Sequence, residues 1–152
     1  MEIERKFLLV DDPGLAEAES RRIEQGYLAI TEDGTEVRLR WRNGDRVLTI
    51  KHGSGRDRIE EEFDVSDKQF DALWPLTEDV RIEKVRHLVR EGGLTFEVDV
   101  FGGRLEGLVL AEVEFESDEQ ADRFDPPGWL GREVTGDQRY LNENLARHGL
   151  PR

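Results

Sequence analysis

Leu94-Thr95-Phe96-Glu97-Val98-Asp99-Val100-Phe101 decides the fold, because apolar and acidic side chains alternate one for one from Phe96 to Val100. Successive side chains of an extended strand point to opposite faces, so this stretch is a strand with Glu97 and Asp99 on one face and Phe96, Val98 and Val100 on the other. The same period recurs outward along the chain. Glu2, Glu4 and Lys6 oppose Ile3 and Phe7, Arg38 and Arg40 oppose Val37, Leu39 and Trp41, and Lys51 opposes Leu48 and Ile50. Glu60 and Glu62 oppose Ile59 and Phe63, Lys84 and Arg86 oppose Val85 and His87, and Glu112, Glu114 and Glu116 oppose Val113 and Phe115.

Turn signals separate these strands. Asn43-Gly44-Asp45 predicts a hairpin between Glu36–Trp41 and Val47–Lys51. Gly53 and Gly55 mark a loop before Arg58–Val65, Glu91-Gly92-Gly93 turns Arg81–Arg90 into Leu94–Phe101, and Gly102-Gly103 precedes Leu108–Glu116. With Met1–Val10 and Arg22–Ile30 this gives about eight strands, and Glu133–Thr135 reads as a further short one. Helices are few: about Leu15–Arg21, one capped by Ser66 with Gln69 that buries Phe70, Leu73 and Trp74, one capped by Ser117 with Gln120, and a closing helix over Gln138–His148. The expectation is one domain over residues 1–152, α+β but mainly β: an eight-stranded antiparallel closed barrel with a charged interior and short flanking helices.

Composition supports charge on the inside as well as the outside. Of the 152 residues 38% are charged and 36% hydrophobic, with strand-period patterning that a disordered chain lacks. A net charge of −13 argues against nucleic acid or an anionic membrane as partner. There is no cysteine, which excludes disulfides and thiolate metal sites. No long apolar run occurs and MEIERKFLLV is too short and too charged for a signal peptide, so a cytoplasmic protein is expected.

The charged faces carry one sign per strand. An ordinary solvated face mixes signs so that neighbouring strands attract, but here Glu60/Glu62, Glu97/Asp99 and Glu112/Glu114/Glu116 are wholly acidic while Arg38/Arg40 and Lys84/Arg86 are wholly basic. Clustered carboxylates without cysteine suit a hard cation such as Mg²⁺ or Mn²⁺, and clustered Arg and Lys suit phosphate. A site with both is a metal-phosphate site. The bland alternative is mutual neutralisation in salt bridges with no ligand.

Glu2-Ile3-Glu4-Arg5-Lys6 resembles the ExExK signature of the CYTH domain, the triphosphate tunnel metalloenzymes. It is followed in order by Gln25-Gly26-Tyr27-Leu28, Glu36-Val37-Arg38-Leu39-Arg40, Thr49-Ile50-Lys51, Glu60-Glu61-Glu62, Lys84-Val85-Arg86, Phe96-Glu97-Val98-Asp99, Ala111-Glu112-Val113-Glu114 and Tyr140-Leu141-Asn142, so the resemblance spans the chain. It implies a tunnel holding a triphosphate, with one or two Mg²⁺ or Mn²⁺ ions per site. Glu2, Glu4, Glu112, Glu114 and Asp99 are then the candidate metal ligands. Lys6, Arg38, Arg40, Lys51, Arg58, Lys84 and Arg86 are the candidate phosphate cradle, and Glu4, Lys6, Arg40, Lys51 and Glu62 the candidate catalytic set. Glu60, Glu62, Glu97 and Asp99 have alternative roles: a second metal, a water, or bracing of the basic residues.

The expected reaction is metal-dependent hydrolysis of a terminal phosphate from a linear triphosphate, inorganic tripolyphosphate first. Nucleoside or thiamine triphosphate, class IV adenylyl cyclisation and non-catalytic polyphosphate binding are the alternatives. Cyclisation is disfavoured because no His-Phe pair stands ahead of Glu2, and Trp41 has the wrong parity to hold a thiamine ring. The expected partner is a small polyanion, and the chain is expected to be a monomer or a homodimer.

Overall fold

The computed structural model describes residues 3–53 and 58–152, so Glu2 and Gly55 lie outside the described residues. Nine strands make one antiparallel sheet: β1 (Ile3–Leu9), β2 (Glu19–Ile30), β3 (Thr35–Arg42), β4 (Asp45–His52), β5 (Ile59–Asp64), β6 (Arg81–Glu91), β7 (Leu94–Phe101), β8 (Val109–Phe115) and β9 (Leu130–Glu133). Their order is β5-β4-β3-β2-β6-β7-β8-β1-β9. Three helices accompany them: α1 (Asp67–Leu73), α2 (Asp118–Arg123) and α3 (Asn142–His148).

Local chemistry sets these boundaries as the sequence requires. Asn43 (φ 48°) and Gly44 (φ 96°) both adopt the left-handed conformation that a two-residue hairpin between β3 and β4 demands. Ser66 accepts from the Gln69 amide while the Gln69 side chain accepts from the Ser66 amide, so the capping box forms at α1. Ser117 accepts from the Gln120 amide at 3.1 Å and starts α2.

Three expectations are corrected. The helix expected over Leu15–Arg21 is a single 3-10 turn at Leu15–Glu17, because Glu19, Ser20 and Arg21 extend β2 by pairing with Leu88, His87 and Arg86. The closing helix is a 3-10 turn at Gln138–Tyr140 followed by α3. The closed eight-stranded barrel gives way to a sheet of nine strands with two edges, β5 and β9, and among the described residues no ladder joins them. The reason lies in β1: β8 pairs with one side of it, and β9 takes the other side through Phe7↔Glu133 and Leu9↔Leu130. The flank that closure would use is occupied.

The sheet curls, because residues of β2, β3, β6, β7 and β8 line one shared cavity of ≈ 890 Å³. Its two faces differ sharply. The convex side is covered near α2, where Phe7, Phe96, Val98, Val113 and Phe115 pack with Ala121, Phe124, Trp129 and Leu130. On the concave side each strand turns from charged to apolar at one end: Lys6 to Leu8, Lys84 to Ile82, Asp99 to Phe101, Glu112 to Leu110. Those apolar ends and Tyr27 pack against Leu145 and Ala146 of α3, which seals that end of the groove. Burial of Leu145, 1% exposed, contributes roughly 1.5–3 kcal/mol to the seal. Among the described residues no helix is long and apolar enough to cross a membrane.

Candidate active site

Residues directly opposite in an antiparallel ladder share a face, so the register identifies what lines the groove. Glu4↔Glu114, Lys6↔Glu112 and Glu97↔Glu112 place four carboxylates and Lys6 on adjoining strands β1, β8 and β7. Arg86↔Asp99 on β6 and β7 continues the face. On the other flank Tyr27↔Arg38, Arg38↔Thr49 and Thr49↔Glu62 form a row across β2, β3, β4 and β5, and Gln25↔Arg40 and Lys51↔Glu60 lie beside it. Every expected site residue that lies in a described strand therefore falls on the concave face, while Arg58 immediately precedes β5 and has no ladder partner. Glu2 cannot be placed, since it lies outside the described residues.

The structure does not bring all of them equally close. Arg86, Glu97, Glu112 and Glu114 line the cavity itself. Lys84, Asp99 and Arg38 are buried, at 2%, 9% and 7% exposure. Lys51, Arg58, Glu60 and Glu62 sit on β4 and the β5 edge, and six strands separate Glu62 from Glu4 in the sheet order.

The β6–β7 charges are closely paired. Asp99 accepts from Lys84 Nζ at 2.8 Å, from Arg86 Nε at 2.8 Å and from Arg86 Nη2 at 3.0 Å, so both its oxygens are engaged. Arg86 Nη1 also meets Glu97 at 2.6 Å. Burial pushes the Asp99 carboxyl up, but Lys84 and Arg86 outweigh it and hold the group at about 2. Burial pulls Lys84 down to about 8, the attraction of Asp99 only partly offsetting burial and the neighbouring Arg86 and Arg40. Arg86, although desolvated, is raised by Asp99 and Glu97.

The β3 arginines are held differently. Arg40 Nε donates to Gln25 Oε1 at 3.0 Å, and Arg38 stands directly opposite the buried Tyr27 in the β2–β3 ladder. Among the described residues neither has a carboxylate within ion-pair distance. Burial, then Arg38, Arg86 and Arg42, lower Arg40 to about 10. Lys51 is lowered by burial and by Arg38 despite Glu60 at 4.0 Å, and Arg58 donates to Glu60 at 3.0 Å. Lys6 stands 3.9 Å from Glu112 and donates to the Tyr140 carbonyl at 3.2 Å.

The donor set on β1 and β8 fits a hard divalent cation. Carboxylates placed directly opposite on neighbouring strands, as Glu4 and Glu114 are, repel each other unless a cation lies between them. All candidate ligands are oxygen donors, as Mg²⁺ and Mn²⁺ prefer. Among the described residues no three acidic or histidine side chains already converge as a ready ligand set. Among the described residues Glu4, Glu112 and Glu114 are the groups that could hold the ion.

Alignment with the CYTH domain family extends over residues 1–147. The chain belongs to the CYTH family. It is 44% identical over 146 residues to an inorganic triphosphatase of Nitrosomonas europaea, covering 95% of this chain and 96% of that one. An inorganic triphosphatase of Acetivibrio thermocellus is 42% identical over 149 residues, covering 97% and 94%. The crystal structure of the inorganic triphosphatase NE1496 superposes with a TM-score of 0.84 at 41% identity, over 99% of this chain and 97% of that one. HpAC1 from Hippeastrum, at 16% identity, 80% and 83% coverage and a TM-score of 0.57, shares the CYTH fold.

Three residues of this CYTH groove escape a reading by charge alone. Gln25, Tyr27 and Thr49 are buried on the concave face among the arginines, at 0%, 3% and 1% exposure. Their signal in the sequence is parity: Gln25 and Tyr27 flank a glycine and so share one face.

Proposed function

We propose that the protein is a divalent-metal-dependent triphosphatase that removes a terminal phosphate from inorganic tripolyphosphate. One observation carries this reading: a single concave face presents opposed carboxylates on β1 and β8 beside a basic set on β3, β4 and β6. A phosphate binder would need only the basic set. The relatives above 40% identity, each an inorganic triphosphatase, support the same substrate.

In this reading Glu4, Glu112 and Glu114, with Glu2, hold Mg²⁺ or Mn²⁺, one or two ions per site. Bound there, the ion neutralises charge on phosphate oxygens and lowers the pKa of a coordinated water. Arg38, Arg40, Lys6, Lys51, Arg58 and Arg86 bind the phosphate oxygens, with Arg forking onto two oxygens and Lys acting as a point charge. Lys84 adds positive charge from beneath the floor. Asp99 braces Lys84 and Arg86 rather than binding metal, because both its oxygens already accept from them. Glu62 on β5 positions the attacking water and receives its proton. Water attacks the terminal phosphorus, the bridging P–O bond breaks, and phosphate and pyrophosphate leave. The basic side chains offset the negative charge that develops on the leaving oxygen. We place the protein in the cytoplasm as a monomer or homodimer.

Phosphate release from tripolyphosphate, ATP and thiamine triphosphate with Mg²⁺ or Mn²⁺ tests this. Fastest release from tripolyphosphate is expected. No turnover of any substrate, with tripolyphosphate still raising the melting temperature, would leave a polyphosphate-binding module instead.

A further inference from the structure

β2 contributes no charged residue to the middle of the groove floor, yet two of its side chains lie directly against the β3 arginines. Gln25 stands opposite Arg40 and Tyr27 opposite Arg38, and both are buried. Gln25 Oε1 accepts the Arg40 Nε proton at 3.0 Å, and the Tyr27 side chain faces Arg38 across the ladder. The strand is fixed from behind. Gly26 faces the convex side, where a Cβ would come within 2.3 Å of Thr77 Oγ1, so the 3-10 turn Trp74–Thr77 lies flat on the backbone at this point. Thr77 is itself locked, donating to the Trp74 carbonyl at 2.7 Å and accepting from Arg81 at 3.0 Å.

Apart from Arg42, which lines the cavity on the same strand, the other groove cations among the described residues are partnered by acid. Arg86 meets Asp99 and Glu97, Lys84 meets Asp99, Lys6 meets Glu112, and Lys51 and Arg58 meet Glu60. A carboxylate at position 25 would orient Arg40 at least as well as an amide does, since charge-assisted hydrogen bonds are the stronger ones. It would also cancel the charge. An amide orients without cancelling. Gln25 Nε2 and Arg38 Nε are buried without a partner, a cost the strand tolerates at this spot.

We propose that Gln25, seconded by Tyr27, is a positioning residue whose neutrality keeps Arg40 and Arg38 as the uncompensated positive pole that captures the phosphate chain. This rests on the triphosphatase reading, in which the β3 arginines meet phosphate. Substrate polarity follows: the end of the chain under β3 is held by arginine alone, while the end toward β1 and β8 lies among carboxylates and metal.

The test compares Gln25→Glu with the isosteric, uncharged Gln25→Met. Three quantities are read for each: the melting temperature without ligand, its rise with tripolyphosphate, and kcat and KM. Gln25→Glu is expected to melt no lower than wild type, because its carboxylate pairs with the half-buried Arg40. Its KM for tripolyphosphate should rise about tenfold, the loss of one charge-assisted interaction, and the ligand-induced rise should shrink. Gln25→Met should melt lower and shift KM less than Gln25→Glu does. A Gln25→Glu protein that melts as low as Gln25→Met while keeping the wild-type KM and ligand response would reduce Gln25 to a packing residue and overturn the proposal. Inorganic pyrophosphate as a thermal-shift probe separates the two readings. If wild type turns over nothing but is stabilised by pyrophosphate, and Gln25→Glu is not, the activity fails and the charge polarity stands. If no polyanion stabilises wild type, the polarity fails too.

Discussion

The inward-facing cations of β6 and those of β3, each pair one buried and one half-buried, are held in opposite ways. Lys84 and Arg86 close onto Asp99 and Glu97 within 3.0 Å, whereas Arg40 rests on an amide and Arg38 faces Tyr27 across the ladder. A buried, paired charge mainly serves the folded state, because removing one partner strands the other. A buried cation with neutral partners is a cost to the folded protein that an incoming anion relieves. The β6–β7 cluster is thus a structural keystone that also faces the site, and the β3 arginines are the part reserved for ligand.

The largest effect that sharpens this contrast is Lys84→Met. It leaves Asp99 desolvated with Arg86 alone and should cost roughly 3–5 kcal/mol in a urea melt. Arg40→Gln should do the reverse: kcat/KM for tripolyphosphate falls about tenfold to a hundredfold while the ligand-free protein melts no lower than wild type. Equal losses of stability in the two variants would break the comparison. Next in size is Gly26→Ala, which drives a Cβ into Thr77 and should destabilise by about 1–3 kcal/mol, with KM rising because Gln25 and Tyr27 move with their strand.

The smallest effect is on pH. Lys84 is protonated below about 8 and neutral above, so kcat/KM should decline as pH rises through that value. Unfolding does not cause this decline. The folded pKa lies below the ordinary value of 10.5, so the unfolded chain binds more protons between the two, and the Lys84 contribution to stability increases with pH in that window. Lys84→Arg should move the alkaline limb upward, and an unmoved limb would assign it to another group.

The groove's charge pattern was legible in the sequence because strand parity is a local property. Glu97 and Asp99, Arg38 and Arg40, and Glu112 and Glu114 each reach the face that alternation assigned to them. Closure was not legible, because it depends on which strand flanks β1: the short strand expected at Glu133–Thr135 instead runs Leu130–Glu133, and nothing local in so short a strand names β1 as its partner. Likewise Glu19–Arg21 has helix-compatible residues, and only the long-range ladder with β6 makes it strand. Within the site, charge alone found the ionic residues but not their partners. Gln25 and Tyr27 are uncharged, and their role emerges only when the register places them opposite Arg40 and Arg38.

The central claim is that carboxylates on β1 and β8 recruit a metal that the reaction requires. Phosphate release from tripolyphosphate, measured for wild type and Glu4→Gln with Mg²⁺, Mn²⁺ or EDTA, tests it most directly. Release should be metal-dependent in wild type, abolished by EDTA and lost in Glu4→Gln, while tripolyphosphate still raises the melting temperature of the variant through the β3 arginines. Release that persists in EDTA, or in Glu4→Gln at the wild-type rate, would contradict it.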